Sequence, residues 1–340
     1  MRKFLVAIAL LIGVMFIIGR LAELQAIGET LQRGDLRFIA LALFVELIWL
    51  LNTAASYRAI YRALGIDENI RQLTILSAAG FFINVVAPSA GIGGVAVFVS
   101  ESRRRGYSSA RATLGSVVFV LFEYAGFLSV LALGLIVLIR RNNLQLSEII
   151  ASGIFVIIGL VLAILLYLGL RSAADLGNAL AWMARQTNRL LRPVIKRPYL
   201  SETHAHEFAR DAADGLSELR QKPDDLLLAM SLALSSKALL ISILFLVFLA
   251  FKVPFSPGTL IAGYSIAQLF TIVSPTPAGV GIVEGVMTLG LNSLTVPLGA
   301  AAVITLLYRG ITFWTPLIIG LMAFRTLARQ PEKEIEPGEE

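Results

Sequence analysis

The chain has 340 residues, of which 57% are hydrophobic and only 15% charged, with a net charge of +6 at pH 7 and no cysteine. Its mean hydropathy is +0.79 and its pI about 9.7. That much apolar side chain exceeds what a soluble core of this size can hide, which excludes an ordinary soluble globule, a disordered chain and a collagen-like one. Without cysteine there are no disulfides, thiolate metal sites, iron–sulfur clusters or cysteine nucleophiles.

About 20 apolar residues cross the hydrocarbon layer as a helix. In chain order the sequence predicts full spans over 4–19, 38–56, 112–139, 149–170, 226–251 and 298–324. The first follows Met1, Arg2 and Lys3 and lacks a small-residue cleavage pattern before the charged stretch 20–37, so it is expected to be retained. Two further apolar stretches, 73–100 and 259–289, are interrupted near their middles. Asn84, Pro88, Gly91, Gly93 and Gly94 break one, and Ser274, Pro275, Pro277, Gly279 and Gly281 break the other. Proline removes an amide donor and glycine loosens the backbone, so each reads as two short helices forming a hairpin that enters and leaves on one side.

With re-entrant hairpins and a cytoplasmic N-terminus, 21 of the 29 Lys and Arg residues fall on the cytoplasmic side, six outside, and Lys237 and Arg309 within spans. This positive-inside bias predicts a multi-pass inner-membrane protein with both termini cytoplasmic. It also accounts for the high pI without nucleic acid as a partner.

The expected fold is thus all-α and polytopic: six full transmembrane helices plus two re-entrant helical hairpins in an inverted repeat. Repeat one covers about 38–139 and repeat two about 226–324, within a single integral-membrane domain over 1–329. Broken helices in opposed repeats are the architecture of alternating-access transporters. The cytoplasmic segment 171–225 carries Leu176, Leu180, Met183, Leu190 and Leu191 near helical spacing. It reads either as an amphipathic helix on the anionic inner leaflet or as a solvated helix pair. The tail 330–340, rich in Glu and Pro, is expected to be disordered.

Charge at the centre of a spanning helix costs about 2.5–3.5 kcal/mol on insertion scales, so such residues need a reason. Glu46, Glu123, Lys237 and Arg309 stand near the middle of predicted spans, acids in the first repeat and bases in the second. Similar distances from Pro88 and Pro277 suggest matching positions, which read either as buried pairs, Glu46 with Lys237 and Glu123 with Arg309, that only register the halves, or as a site whose two bases meet a phosphate. Glu284 adds a carboxylate beyond the second tip, and Glu101 closes the first hairpin. His204 and His206 read as solvated side chains. Trp49 and Trp314 read as packing or interface anchors.

The run from Pro275 through Pro277, Gly279, Gly281 and Glu284, followed by Leu307, Tyr308, Arg309, Trp314, Pro316 and Gly320, resembles the second signature of the lysylphosphatidylglycerol synthase transmembrane, flippase-like family. Asn84, Pro88, Gly93, Gly94 and Arg103 to Gly106 resemble its first, and the likeness covers nearly the whole chain. Ala278 stands where that motif commonly has glycine. The best-known members carry a soluble aminoacyl-transferase domain after the membrane part; no comparable segment follows the last span here, so no enzymatic activity is expected.

What the resemblance implies is a module that moves lipids between leaflets, with no cofactor. Lys237 and Arg309 would meet the phosphate of an anionic membrane lipid, and Glu46 and Glu123 would neutralise them in the empty site; Glu284, close to the second tip, would oppose the anion, sense protons or bind a cationic head group. The Gly-rich tips around Asn84, Pro88, Gly93, Gly94, Pro275, Pro277, Gly279 and Gly281 would add backbone amides from their non-proline residues. An integral-membrane transferase for a lipid or polyprenyl substrate, a scaffold for a lipid-modifying enzyme and a small-solute transporter remain as alternatives. A homodimer or such an enzyme is the expected protein partner.

Overall fold

The computed structural model describes residues 34–86, 92–142, 144–191, 202–274 and 276–329. The expected span at 4–19, together with Pro88, Gly91, Pro275 and the tail 330–340, lies outside them. In chain order the helices are α1 (Leu36–Ala63), α2 (Ile70–Val86), α3 (Ile92–Arg104), α4 (Ser109–Arg140), α5 (Leu146–Arg171), α6 (Ala173–Leu191), α7 (Glu202–Arg220), α8 (Pro223–Ala250), α9 (Pro257–Val273), α10 (Ile282–Ser293) and α11 (Leu298–Ala328). Five of them, α1, α4, α5, α8 and α11, are long and apolar enough to cross a membrane, and they coincide with five of the expected spans. α5 turns Ile149, Ile154, Ile157, Leu160 and Ile164 outward, a surface suited to lipid.

One order of lengths occurs twice. α1, α2, α3 and α4 run 28, 17, 13 and 32 residues; α8, α9, α10 and α11 run 28, 17, 12 and 31. The corners correspond as well. α1, α3, α8 and α10 all end in a left-handed residue: Gly65 (φ 70°), Gly106 (φ 80°), Lys252 (φ 53°) and Thr295 (φ 74°). The amide of the following Ile66, Tyr107, Val253 or Val296 reaches back five residues to a helical carbonyl. This closes otherwise orphaned carbonyls and packs an apolar residue under each helix end.

α2 and α3 fold back on one another, as do α9 and α10, so both interruptions are chain reversals. The amide of Gly94 on α3 donates to Asn84 Oδ1 on α2 at 2.6 Å. After α9, a single 3₁₀ turn, Pro277–Gly279, leads into α10. Gly279 sits at φ 71°, and a Cβ there would collide with Val283 and lie 3.0 Å from the Thr271 backbone, so only glycine fits.

Each hairpin leans on the closing helix of the other series. α2 lies along α11, and α9 along α4. A Cβ on Gly320 of α11 would strike the carbonyl of Ala78, and the rings of Phe82 and Phe324 meet at 5.7 Å. Ser265 of α9 donates to the Val130 carbonyl of α4 at 3.4 Å. α1 packs along α8 in antiparallel fashion, with Asn52 opposite Leu232, Trp49 opposite Ser236, and Asp35 N–H bonded to Ala250 O.

One correction arises from helix register. Glu46 lies ten residues into α1 while Lys237 lies fourteen into α8, and Glu123 lies fourteen into α4 while Arg309 lies eleven into α11. The buried charges are therefore about one turn out of step between the series. Of the two readings of segment 171–225, its described residues form the helix pair: Leu176 and Leu180 of α6 lie against Phe208, Ala209 and Ala212 of α7, while Leu216 and Leu219 continue into the core. Met183 remains exposed. At the expected closing position of the first hairpin, Glu101 accepts from Arg105 (2.9 Å) and Gln72 (3.1 Å), and Arg105 also reaches Glu68 (3.0 Å).

Candidate functional site

The intramembrane charges gather where the two chain reversals face α1, α4, α8 and α11. Lys237, 3% exposed, binds its ammonium to the carboxylate of Glu123. The hydroxyl of Ser236 donates to the same Glu123 oxygen at 3.5 Å and accepts the indole N–H of Trp49 at 3.0 Å. One carboxylate thus receives an ammonium and a hydroxyl, and α1, α4 and α8 are tied together at a single point.

The second cation has a different task. Arg309, 5% exposed, precedes a wide π turn, Gly310–Trp314, the kind of local distortion that often accompanies a functional position. Its Nε donates to Glu284 Oε1 at 2.8 Å and its Nη2 to the carbonyl of Ala278 at 2.9 Å. Its guanidinium also covers the Phe313 ring at 4.9 Å. The other Glu284 oxygen accepts the Gly281 amide at 2.6 Å. The second tip is fastened to α11 by one side chain.

These bonds replace the pairing expected from spacing. Lys237 joins Glu123 and Arg309 joins Glu284, because the one-turn offset places Lys237 beside α4 and Arg309 beside the tip. Glu46, 2% exposed, joins neither, and both its oxygens are buried with no hydrogen-bond partner among the described residues. The expected anion-binding amides are also committed. Gly94 N–H goes to Asn84, Gly281 N–H to Glu284, and Gly279 N–H to Thr276 O. These three described amides are therefore already bonded within their own hairpins.

Two cavities adjoin the Glu123–Lys237 pair. One, about 130 Å³, is lined by Lys237, Arg309, Tyr308, Ala278 and Gln268. The other, about 260 Å³, lies under the first hairpin and is lined by Asn84, Gly94, Tyr57 and Phe98. Trp49, Phe81 and Glu123 line both. The structure therefore brings Asn84, Gly94, Glu123, Lys237 and Arg309 to one connected region, with Glu284 and Gly281 holding its second tip, Gly279 shaping that turn and Pro277 opening it. Gly93 neighbours Gly94 on α3.

Of the two readings of Trp49, packing is the one seen: it is a wall of both cavities. Ser236 and Tyr308 also escaped the charge-based reading, although Ser235 and Ser236 beside Lys237 in an otherwise apolar helix were a visible signal. Among the described residues no cluster of three or more His, Asp or Glu is arranged to hold a metal.

The model of the family described as lysylphosphatidylglycerol synthase TM region matches residues 4–320. A UPF0104 membrane protein of Methanocaldococcus jannaschii is 25% identical over 335 residues, covering 96% of each chain. One from Methanothermobacter thermautotrophicus is 25% identical over 333 residues, covering 93% of this chain and 94% of its own. A third, from Pyrococcus horikoshii, is 26% identical over 345 aligned residues, covering 94% and 96%. Signature, span pattern and full-length match agree, and the chain belongs to the lysylphosphatidylglycerol synthase TM region family.

Proposed function

We propose that this protein moves an anionic lipid between the leaflets of the inner membrane, its head group passing the Lys237–Arg309 region while its acyl chains stay in lipid. The observation that carries this reading is the pair of buried cations, each held by one carboxylate beside a cavity flanked by a chain reversal. A lipid phosphate replaces a carboxylate as the cation's partner without leaving charge bare in hydrocarbon. Arg309 offers parallel donors suited to phosphate, and Lys237 a point charge. In this reading the hairpins are re-entrant from opposite faces, both termini are cytoplasmic, and the protein is a carrier, not an enzyme.

The test is translocation of fluorescent phosphatidylglycerol in vesicles reconstituted with the full chain, read by quenching from outside. The protein should accelerate exchange over empty vesicles, and Lys237→Gln and Arg309→Gln should each slow it by tenfold or more. Exchange no faster than in empty vesicles, across phosphatidylglycerol and other anionic phospholipids, overturns the proposal.

A further inference from the structure

Three acids and two bases lie in this region, and the two ion pairs consume two of the acids. Glu46 is the remainder. On the same face of α1, one turn to either side, Ala42 and Leu50 are 0% and 6% exposed and belong to two different apolar clusters. The carboxyl therefore sits between the two cores, sealed from solvent, with neither oxygen bonded among the described residues. A bare carboxylate in such a place is far less stable than the neutral acid, and an intramembrane ionisable group without a partner calls for a functional reason.

The surroundings give it a route. From α11, Tyr308 joins the same apolar cluster as Ala42, one turn from Glu46, and also lines the 130 Å³ cavity. From α9 comes Tyr264, in the same cluster as Tyr308, its hydroxyl buried with no partner among the described residues. From α8 and α4 the nearest charged groups are Lys237 and Glu123, bonded to each other beside Trp49, a turn further along α1. Arg309, the last residue before the π turn, is held by Glu284. The other ionisable groups packed around α1 stand away from Glu46: α2 brings only Arg71 at its start, α7 meets the far end of α1 around Leu64 and Glu218, and α11 adds Arg325 near its own end.

We propose that Glu46 is a proton-binding site, which takes a proton from water on one side of the membrane and releases it on the other during each transport cycle. Resting on the lipid-transport reading, this makes the lipid movement proton-coupled. An O–H bond forms on a Glu46 oxygen when the cavity side admits water through Tyr308, and the sealed arrangement carries the neutral acid. The same O–H bond breaks when the halves rearrange, the proton passes to water, and no electrons change hands.

Infrared difference spectroscopy on the purified full chain, in vesicles of phosphatidylethanolamine and phosphatidylglycerol, reads the site without any need for transport. A neutral carboxylic acid C=O band that shifts in heavy water should be present in the wild type and missing in Glu46→Gln. Identical spectra overturn the proposal. Should Glu46→Gln fail to fold, Glu46→Asp must move the frequency of that band, and an unmoved band is equally fatal. In the same vesicles an imposed pH gradient should speed fluorescent phosphatidylglycerol exchange several-fold, with the ratio of rates with and without the gradient falling to one in Glu46→Gln. Wild-type exchange indifferent to the gradient overturns the coupling while leaving lipid movement standing. The Glu46 band with no exchange at all upholds the proton site and overturns the lipid reading.

Discussion

Lys237 and Glu123 are bound to each other across the α8–α4 seam, with Ser236 and Trp49 completing the contact. The pair matters because it adjoins both cavities at once, so releasing it changes the polarity of each.

Breaking one side of that pair leaves an uncompensated buried charge. Lys237→Met or Glu123→Gln alone should lower stability by about 3–5 kcal/mol, whereas the double variant should cost much less than their sum. Thermal unfolding of the four proteins in detergent measures this. Additive losses would show that the two residues do not interact energetically.

Arg309→Lys keeps the charge but cannot reproduce the donation to Glu284 and to the Ala278 carbonyl together. Amide hydrogen exchange over residues 276–284 should rise by tenfold or more, with little change in α1. Unaltered protection there would mean that the tip is held by its own turn.

Of the four non-glycine residues at left-handed angles among the described residues, Ala278 at φ 51° lies in the tip and Thr295 at φ 74° in a corner. A left-handed conformation costs an L residue roughly 1–2 kcal/mol, so Thr295→Gly should stabilise by about 1 kcal/mol and Ala278→Gly by a similar amount. Gly279→Ala, next to Ala278, should destabilise instead, through collision with Val283 and the Thr271 backbone. Melting temperatures of the three variants decide it.

Because the chain has no cysteine, single cysteines report topology without background. Cysteines replacing Asn69 and Gly106 should react with a membrane-impermeant reagent from one side of the bilayer, and those replacing Ser256 and Thr295 from the other. Labelling of Asn69 and Gly106 from opposite sides would mean that the first reversal crosses the membrane.

Burial lifts the Glu68 carboxyl above its ordinary range; Arg105 pulls it part of the way back, and Glu101 adds to the rise. An acid raised in the folded state holds its proton more tightly folded than unfolded. It therefore supports folding below its ordinary range, and that support is lost as pH rises through the raised value. Glu68→Gln should flatten the slope of melting temperature against pH across the mildly acidic range.

Spans were legible because bilayer thickness sets a length that composition alone reveals, and α1, α4, α5, α8 and α11 fall where apolar runs placed them. The reversals were legible because proline and glycine interrupt those runs. Partners were not. Counting from Pro88 and Pro277 matched Glu46 with Lys237, but the register along α1 and α8 is set by contacts such as Trp49 with Ser236, which one sequence does not expose. Glu284 looked like an opponent of a bound anion, yet the Ala278 carbonyl lies where Arg309 touches tip and carboxylate together. For α6 the sequence left a leaflet-bound helix and a helix pair both open, because a linear pattern does not show that α7 covers Leu176 and Leu180.

The exchange of hairpins between the two series bears on how the molecule can be divided. Neither stretch of chain encloses its own short helices, so fragments ending after α5 and beginning at α8 would each present an uncovered flank and should accumulate only when made together. In the proposed transport, the same interlock would make α2 travel with α11 and α9 with α4, so the moving bodies would be drawn from both ends of the polypeptide.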